Sequence, residues 1–328
     1  MPYKNNKWAI YKLTLLVFLL LLSLGAAKVQ AEVGDINGVT VDISLESQLD
    51  HYLNTLGDEE TDSDAILFEV LATLSEKTPL ATWLRAKSYE AFWYYYDGDT
   101  ELAFEKLDKL LQVAAGSENA DVKTEAQATQ VELLQAEGKS GEAFLLINNV
   151  EIPLSSARMP RIRYYAHNLI SRIYADWNRY DDALRHLLLA QDAVNETNNE
   201  RTPIRKQYLD YSIAIIQSEL KNWDGSLKTI NDAIDSAKEN GLEYELPDFY
   251  LHKSYVEAGM GDREASLDSL KGAYQAAIKD ERKYLLPVIL NNFGDHYMYA
   301  DEWEEARGHL QEALKLAENV EDRKSTRL

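Results

Sequence analysis

Small residues recur about every forty positions through most of the chain, and this period constrains the fold more than any other sequence feature. They stand at Ala103, Ala143, Ala183, Ser226, Ala265 and Ala306. Around each, apolar residues recur three and four positions apart, as on the buried face of an amphipathic helix, and no alternating run is long enough to predict a strand. Each period therefore predicts a helical hairpin whose small residue lets two antiparallel helices approach closely.

Turn signals and prolines divide the chain in the same way. Short polar turns at 98–99, 138–139, 178–179 and 261–262 precede four of the small residues. Proline fits the first turn of a helix because its missing N–H would have no partner there. Five prolines stand where the first helix of a hairpin should begin, namely Pro79, Pro160, Pro203, Pro247 and Pro287.

Two of the units carry a known motif. Residues 290–313 read Leu-x-x-Phe-Gly-x-x-Tyr and then Trp-x-x-Ala-x-x-x-Leu-x-x-Ala, and residues 170–190 follow a similar pattern. This motif resembles the tetratricopeptide repeat (TPR). The resemblance implies an all-α fold, a right-handed α-solenoid of about six TPR-like hairpins over 80–321. The unit around Ala265 departs from the pattern, with Lys253 where a small residue is expected. A HEAT-type array has a similar period and is the structural alternative.

The N-terminal segment predicts export. Lysines at 4, 7 and 12 precede an apolar run at 13–24, and 29–31 supplies an A-x-A-like cleavage site, so 1–31 is interpreted as a cleaved signal peptide. The alternative is an uncleaved anchor, although the run is shorter than the roughly 20 residues that a membrane span needs. The chain has no Cys, which excludes disulfides and an anchor on cysteine.

Two further segments flank the repeats. Residues 32–79 predict an N-terminal capping hairpin, with helices at 45–56 and 65–74 and an acidic loop between them, because terminal repeats present a polar outer face. The last seven residues, 322–328, resemble a translated sequencing adapter. We therefore expect the natural chain to diverge at about residue 321, with a chance match as the alternative.

Charge and motifs exclude several functions. Lys+Arg is 34 against Asp+Glu at 55, which argues against a broad nucleic-acid interface or an anionic membrane surface. The six histidines never stand at zinc-ligand spacing, 138–140 lacks the upstream glycine of a phosphate-binding loop, and the acidic stretch 58–64 lacks the glycine of a calcium-binding EF-hand loop. We therefore expect no metal, no cofactor and no catalysis within this chain.

An export signal followed by acidic TPR units is similar to the periplasmic sensor regions of bacterial GGDEF-type diguanylate cyclases and histidine kinases. This resemblance implies a periplasmic protein- or peptide-interaction module of a Gram-negative bacterium. It would be the sensor part of a truncated transmembrane signalling protein, contacting the membrane only through a missing downstream segment or an uncleaved signal. The alternatives are a free-standing periplasmic scaffold and, third, an enzyme.

The TPR resemblance also implies a binding groove lined by the first helix of each hairpin. Residues 18, 15, 11 and 8 positions before each small residue should face it, and they are rich in Tyr and Asn, which suit an extended peptide. The candidate ligand-binding residues are Arg85, Tyr95, Tyr165, Asn168, Arg172, Tyr211 and Asn291. The alternative is that the tyrosines seal contacts between helices.

One stretch is unusually basic for an acidic chain. Residues 152–175 contain no Asp or Glu. They do contain Arg172 and three further arginines, Arg158, Arg161 and Arg163. Guanidinium groups suit carboxylate and phosphate ligands, so these three residues form a candidate anion patch. The alternative is that they balance acidic residues of a neighbouring repeat.

Overall fold

The computed structural model describes residues 39, 41–56, 62–197, 202–279 and 282–325. The expected signal peptide at 1–31 and most of the acidic loop lie outside them. The described elements are helices: α1 (Ile43–Thr55), α2 (Ser63–Thr73), α3 (Leu80–Asp97), α4 (Thr100–Ala115), α5 (Ala120–Ala136), α6 (Ser140–Leu145), α7 (Ile147–Leu154), α8 (Pro160–Asp176), α9 (Tyr180–Asn195), α10 (Thr202–Glu219), α11 (Trp223–Glu239), α12 (Leu246–Met260), α13 (Arg263–Lys279), α14 (Leu286–Tyr299) and α15 (Trp303–Ser325).

Consecutive helices pack as hairpins within two compact units, 1–206 and 207–328. In unit 1, α3 packs on α4, α5 on α6 and α7, and α8 on α9. In unit 2, α12 packs on α13 and α14 on α15. The five prolines lie at the start of first helices, as the sequence predicts; Pro160, for example, is the first residue of α8. The predicted all-α repeat fold is confirmed.

Each of the six hairpins turns through one residue in the left-handed backbone region. These residues are Gly98, Gly138, Asn178, Lys221, Gly261 and Asp301. The next backbone N–H returns to a carbonyl of the preceding helix, as from Asp99 to Tyr94 O at 2.9 Å, which closes the helix end. Asp99 then caps α4 by accepting a bond from Leu102 N at 3.1 Å. Five of the small residues follow the left-handed residue by five positions.

The sixth small residue is misplaced by one position in the sequence interpretation. Ser266, five residues after Gly261, is 4% exposed and begins the backbone bonding of α13 by donating to Asp262 O at 3.1 Å. Ala265 is only half-buried. With Ser266 as the reference, the residue twelve positions earlier is Ser254, which is buried. The apparent departure at Lys253 therefore results from a register error, and the repeat is regular.

The small residues lie where two helices of a hairpin touch. Ser226 of α11 donates its hydroxyl to Ala214 O of α10 at 2.6 Å, and Ala103, Ala143 and Ala183 are fully buried. A larger side chain has no space at such a contact. The predicted role is confirmed for Ser226, and the burial of the three alanines agrees with it.

The segment before the repeats contains two helices near the predicted positions. Leu49 and Leu67 of α1 and α2 are fully buried together with Ala86 of α3. Burial of a leucine side chain contributes about 1.5–3 kcal/mol. This contact fixes α1 against the first repeat, which brings acidic residues of α1 beside the polar face of α3.

Candidate functional site

The first helices of unit 1 place polar residues at the predicted offsets, and one helix was overlooked. Applied to Ala143, the offsets of 18 and 11 give Glu125 and Glu132 of α5. These residues are 3% and 4% exposed. They bind side chains of the neighbouring α8, so α5 supplies the carboxylates of this face. The signal was present in the sequence, because the same spacing rule identifies both residues.

Arg85 is one of the two most deeply buried of the predicted ligand-binding residues, together with Asn168. It is 2% exposed and donates to Asp50 Oδ1 at 2.5 Å, to Tyr89 OH at 3.0 Å and to Glu46. Burial alone would disfavour its charge, but Tyr89, Asp50 and Glu46 raise the pKa of Arg85 well above its ordinary value. Arg85 therefore ties α1 to α3.

Tyr165, Asn168 and Arg172 lie on successive turns of α8. Tyr165 donates its hydroxyl to Glu132 Oε2, and Arg172 donates to Glu132 Oε1 at 3.1 Å. Burial, followed by the charge of Glu132, raises the pKa of Tyr165 well above its ordinary value. Tyr165 and Arg172, which lie about one helical turn before and after Asn168, thus bind the same carboxylate. We call these four residues the Glu132 cluster.

Asn168 is the exception within the Glu132 cluster. Its side chain is 1% exposed, and among the described residues neither its amide oxygen nor its amide nitrogen has a hydrogen-bond partner. Leaving a buried polar group unpaired costs about 1–3 kcal/mol. Asn168 is therefore the residue of this face whose bonding capacity is least used.

Two members of the predicted anion patch pair with carboxylates of neighbouring helices. Arg161 donates two hydrogen bonds, of 2.8 and 3.1 Å, to the carboxylate of Glu125. Arg163 donates a hydrogen bond to Glu196. Arg158 has an exposed side chain, and its backbone N–H donates to Asp121 Oδ1 at 2.9 Å. The pairing alternative thus describes Arg161 and Arg163, as it does Arg172. Binding of an anion by the patch stays a prediction.

The remaining candidates differ in setting. Tyr95 of unit 1 is half-buried, and burial together with Glu137 raises its pKa to about 12. In unit 2, the ring of Tyr211 lies 5.0 Å from that of Phe249 in the core, as the sealing alternative describes. Asn291 is exposed, and its amide nitrogen lies 3.4 Å from Asp295 Oδ2.

A histidine pair in unit 1 was not predicted. The Nδ1 atoms of His167 and His186 are 3.0 Å apart. Burial lowers the pKa of His167 to about 4 and that of His186 to about 3. Across the described ranges, no group of three or more His, Asp and Glu side chains is arranged to hold a metal ion.

Unit 2 contains a separate charged cluster around Arg282, which sequence analysis also missed. The guanidinium lies 4.5 Å from the ring of Tyr244 and 5.4 Å from that of Tyr284. It pairs with Glu245 at 3.2 Å and with Asp248 at 2.6 Å. Burial raises the pKa of Glu245 to about 7, despite the opposing charge of Arg282. This cluster links the turns before α12 and α14.

Comparison with known proteins gives the fold. A signal-transduction ATPase with numerous domains and a tetratricopeptide repeat sensor, from Pyrococcus horikoshii, superposes with a TM-score of 0.65 at 12% identity, over 97% of this chain and 47% of that one. BtubC from P. vanneervenii superposes with a TM-score of 0.54 at 14% identity, over 73% and 92%. The chain has a TPR-like repeat fold. At such identities the likeness shows the fold alone.

A third TPR-like neighbour is a Rap protein solved in complex with Competence and Sporulation Factor. It superposes with a TM-score of 0.58 at 12% identity, over 85% of this chain and 78% of that one. At the sequence level, the family of Anaphase-promoting complex subunit 5 matches residues 172–248 and 249–328, just under half of this TPR-like chain. No curated protein matches the chain.

Proposed function

We propose that this TPR-like chain is a non-catalytic interaction module that binds an extended peptide at the Glu132 cluster of unit 1. The observation that carries the proposal is Asn168, whose buried amide has both a free acceptor and a free donor. A peptide unit offers one N–H and one C=O. It can therefore satisfy both atoms of the asparagine at once.

The bonds around Asn168 provide a route for the ligand. Tyr165 and Arg172 both donate hydrogen bonds to the carboxylate of Glu132. When a peptide enters, Tyr165 and Arg172 exchange their bonds to Glu132 for bonds to the polar groups of the peptide. The ring of Tyr165 contributes apolar contact. Binding is then coupled to a local rearrangement of side chains. The Rap protein that was solved in complex with a factor supports an interaction role for a fold of this kind.

A peptide selection tests the proposal. The purified chain would be panned against a displayed random-peptide library, and calorimetry would measure the enriched peptide on three proteins: wild type, Asn168→Leu, and Asn149→Leu as the matched control. Asn149 is exposed on α7. Loss of two hydrogen bonds should weaken binding by about 1–3 kcal/mol in Asn168→Leu alone.

The midpoint of thermal unfolding distinguishes a loss of binding from a loss of folding. Asn168→Leu removes two unpaired polar atoms of a buried side chain, so its unfolding midpoint should not fall. Failure to enrich any peptide, or equal affinity of Asn168→Leu and wild type, would reject the proposal. A variant that loses affinity only because it unfolds would show a lower midpoint.

We further propose that the chain is exported and acts in the periplasm as the sensor part of a transmembrane signalling protein. The support lies in the sequence: a basic start, an apolar run and a cleavage-like site before residue 32. The alternative is a free-standing periplasmic scaffold. In the part of the chain that the structure describes, no helix is long and apolar enough to cross a bilayer.

Export is testable directly. Residues 1–50 would be fused to alkaline phosphatase, which is active only after export, and mass spectrometry would locate the new N-terminus. We expect activity and a start at residue 32. An inactive fusion, compared with the same fusion carrying a known signal, would reject export. An active but uncleaved fusion would favour an anchor.

A further inference from the structure

Arg205, the fourth residue of α10, is a buried cation that has no carboxylate partner among the described residues. It is 8% exposed, and its Nε atom has no hydrogen-bond partner in the part of the chain that the structure describes. Its guanidinium carbon lies 5.2 Å from the centre of the Tyr164 ring. An aromatic face attracts a cation but leaves its charge uncompensated. Burial lowers the pKa of Arg205, and the opposing charges of Tyr164 and Asp50 do not restore it. In Arg85 and Arg161, bonded carboxylates outweigh burial and raise the pKa above its ordinary value.

Asp50, a carboxylate whose charge favours that of Arg205, is already bonded to Arg85. Asp50 and Glu46 bind Arg85, and Glu125 binds Arg161. The charges of Arg85 and Arg161 lie close enough to oppose that of Arg205 further. A buried charge without a partner is strongly unfavourable. Among the described residues, Arg205 is therefore a buried cation without an ion-pair partner of its own.

The local backbone adds to the positive potential. Arg161 is the second residue of α8 and Arg205 the fourth of α10, and neither helix has an acidic residue in its first turn. Helix N-termini carry partial positive charge, which disfavours cations and favours anions. The Nε atom of Arg161 also lacks a partner. The N-termini of α8 and α10 thus bring together the unpaired Nε donors of Arg161 and Arg205 and the positive charge of both side chains in unit 1.

We propose that an oxyanion binds between the first turns of α8 and α10, with Arg205 as its main ligand and the free Nε of Arg161 as a second donor. A guanidinium fork binds a carboxylate or a phosphate through two parallel bonds. The Tyr164 ring forms one wall of the site. This proposal is independent of peptide binding at Asn168, because it rests on different donors and a different charge.

Thermal unfolding of the purified chain at constant pH and ionic strength tests the site. Sodium chloride is the reference, and the probes are sodium phosphate, sodium succinate, and one tripeptide with either a free or an amidated C-terminus. Arg205→Met removes the charge, Arg205→Lys keeps the charge without the fork, and Arg185→Met is the control. Arg185 is exposed. Calorimetry would give the dissociation constants.

In wild type we expect a saturable rise of the midpoint, roughly 3 °C at ten times the dissociation constant. Arg185→Met should show the same rise, Arg205→Met none, and Arg205→Lys at least tenfold weaker binding. In chloride alone, Arg205→Met should unfold no earlier than wild type, because it removes an unpaired buried charge.

The probes also identify the source of the anion. A response to the free but not the amidated tripeptide assigns the end of a peptide chain, and a response to phosphate or succinate alone assigns a free anion; either supports the site. The proposal is overturned if wild type responds to none of the probes. It is equally overturned if Arg205→Met responds as wild type does, or if Arg205→Lys binds as tightly as wild type.

Discussion

Two glycines of the last hairpin differ only in what a methyl group would meet there. Gly294 lies in α14, and a Cβ atom added to it would stand 2.6 Å from both Cγ and Cδ2 of Leu310 in α15. Gly308 lies in α15 with nothing within 4 Å of the same added atom. Both have helical neighbours on each side, so alanine should gain about 0.8–1 kcal/mol of helix propensity at either position.

The close approach of α14 and α15 at Gly294 decides whether alanine stabilises or destabilises the protein there. Gly308→Ala should raise the free energy of unfolding by about 0.8–1 kcal/mol, because nothing opposes the gain in helix propensity. Gly294→Ala must displace Leu310, and overpacking costs about 1–3 kcal/mol. Both variants gain the same helix propensity, so the overpacking cost alone should make Gly294→Ala less stable than Gly308→Ala by about 1–3 kcal/mol.

Urea unfolding followed by circular dichroism would measure this difference, with the slope against urea unchanged in both variants. If Gly294→Ala were as stable as Gly308→Ala, the helices would not approach closely at this position. The explanation of the forty-residue period by compact crossings would then be wrong.

Three more predictions follow from other sites. Tryptophan at Ala183 or Ser266 should cost about 1–3 kcal/mol by overpacking, whereas tryptophan at half-buried Ala265 should cost less; equal melting curves for the three would contradict the register. The pKa of Glu245 is raised to about 7, so the folded state binds more protons than the unfolded state between pH 4.5 and 7. Stability should therefore fall as pH rises through this range. Urea titrations at pH 5 and 8 should show a smaller difference in stability for Glu245→Gln than for wild type. The lowered pKa of His167 acts in the opposite direction, so stability should fall as pH drops from 6.5 towards 4. His167→Phe should reduce that loss, and an unchanged profile would show that His167 is not responsible.

The fold was predictable because its signals are local. A small residue, the turn before it and the proline at the helix start each act within one hairpin, and each repeats. The error at Ala265 shows the limit of this reasoning. Ala265 and Ser266 are both small, and only the left-handed turn at Gly261, with Ser254 opposite, distinguishes them.

The candidate site was predictable in its positions but not in its bonding. The offsets identified Arg85, Tyr165 and Asn168 as neighbours along one face. They did not reveal that Asn168 lacks partners while Arg85 has several, because pairing depends on side-chain conformations across different helices. Arg205 was missed for a related reason: it lies three positions before the offset used, in a turn that was expected to begin a helix and nothing more.

The separations of the ion pairs show how such bonding could be found. Arg161 and Glu125 are 36 residues apart, Arg172 and Glu132 are 40 apart, and Arg282 and Glu245 are 37 apart. Stacking hairpins places each residue beside the one about a period away, so these arginines pair with carboxylates of a neighbouring repeat. A basic stretch such as 152–175 should therefore be compared with the acidic residues about one period before and after it. An arginine that finds no acid there, as Arg205 does not among the described residues, is the one to examine for a ligand.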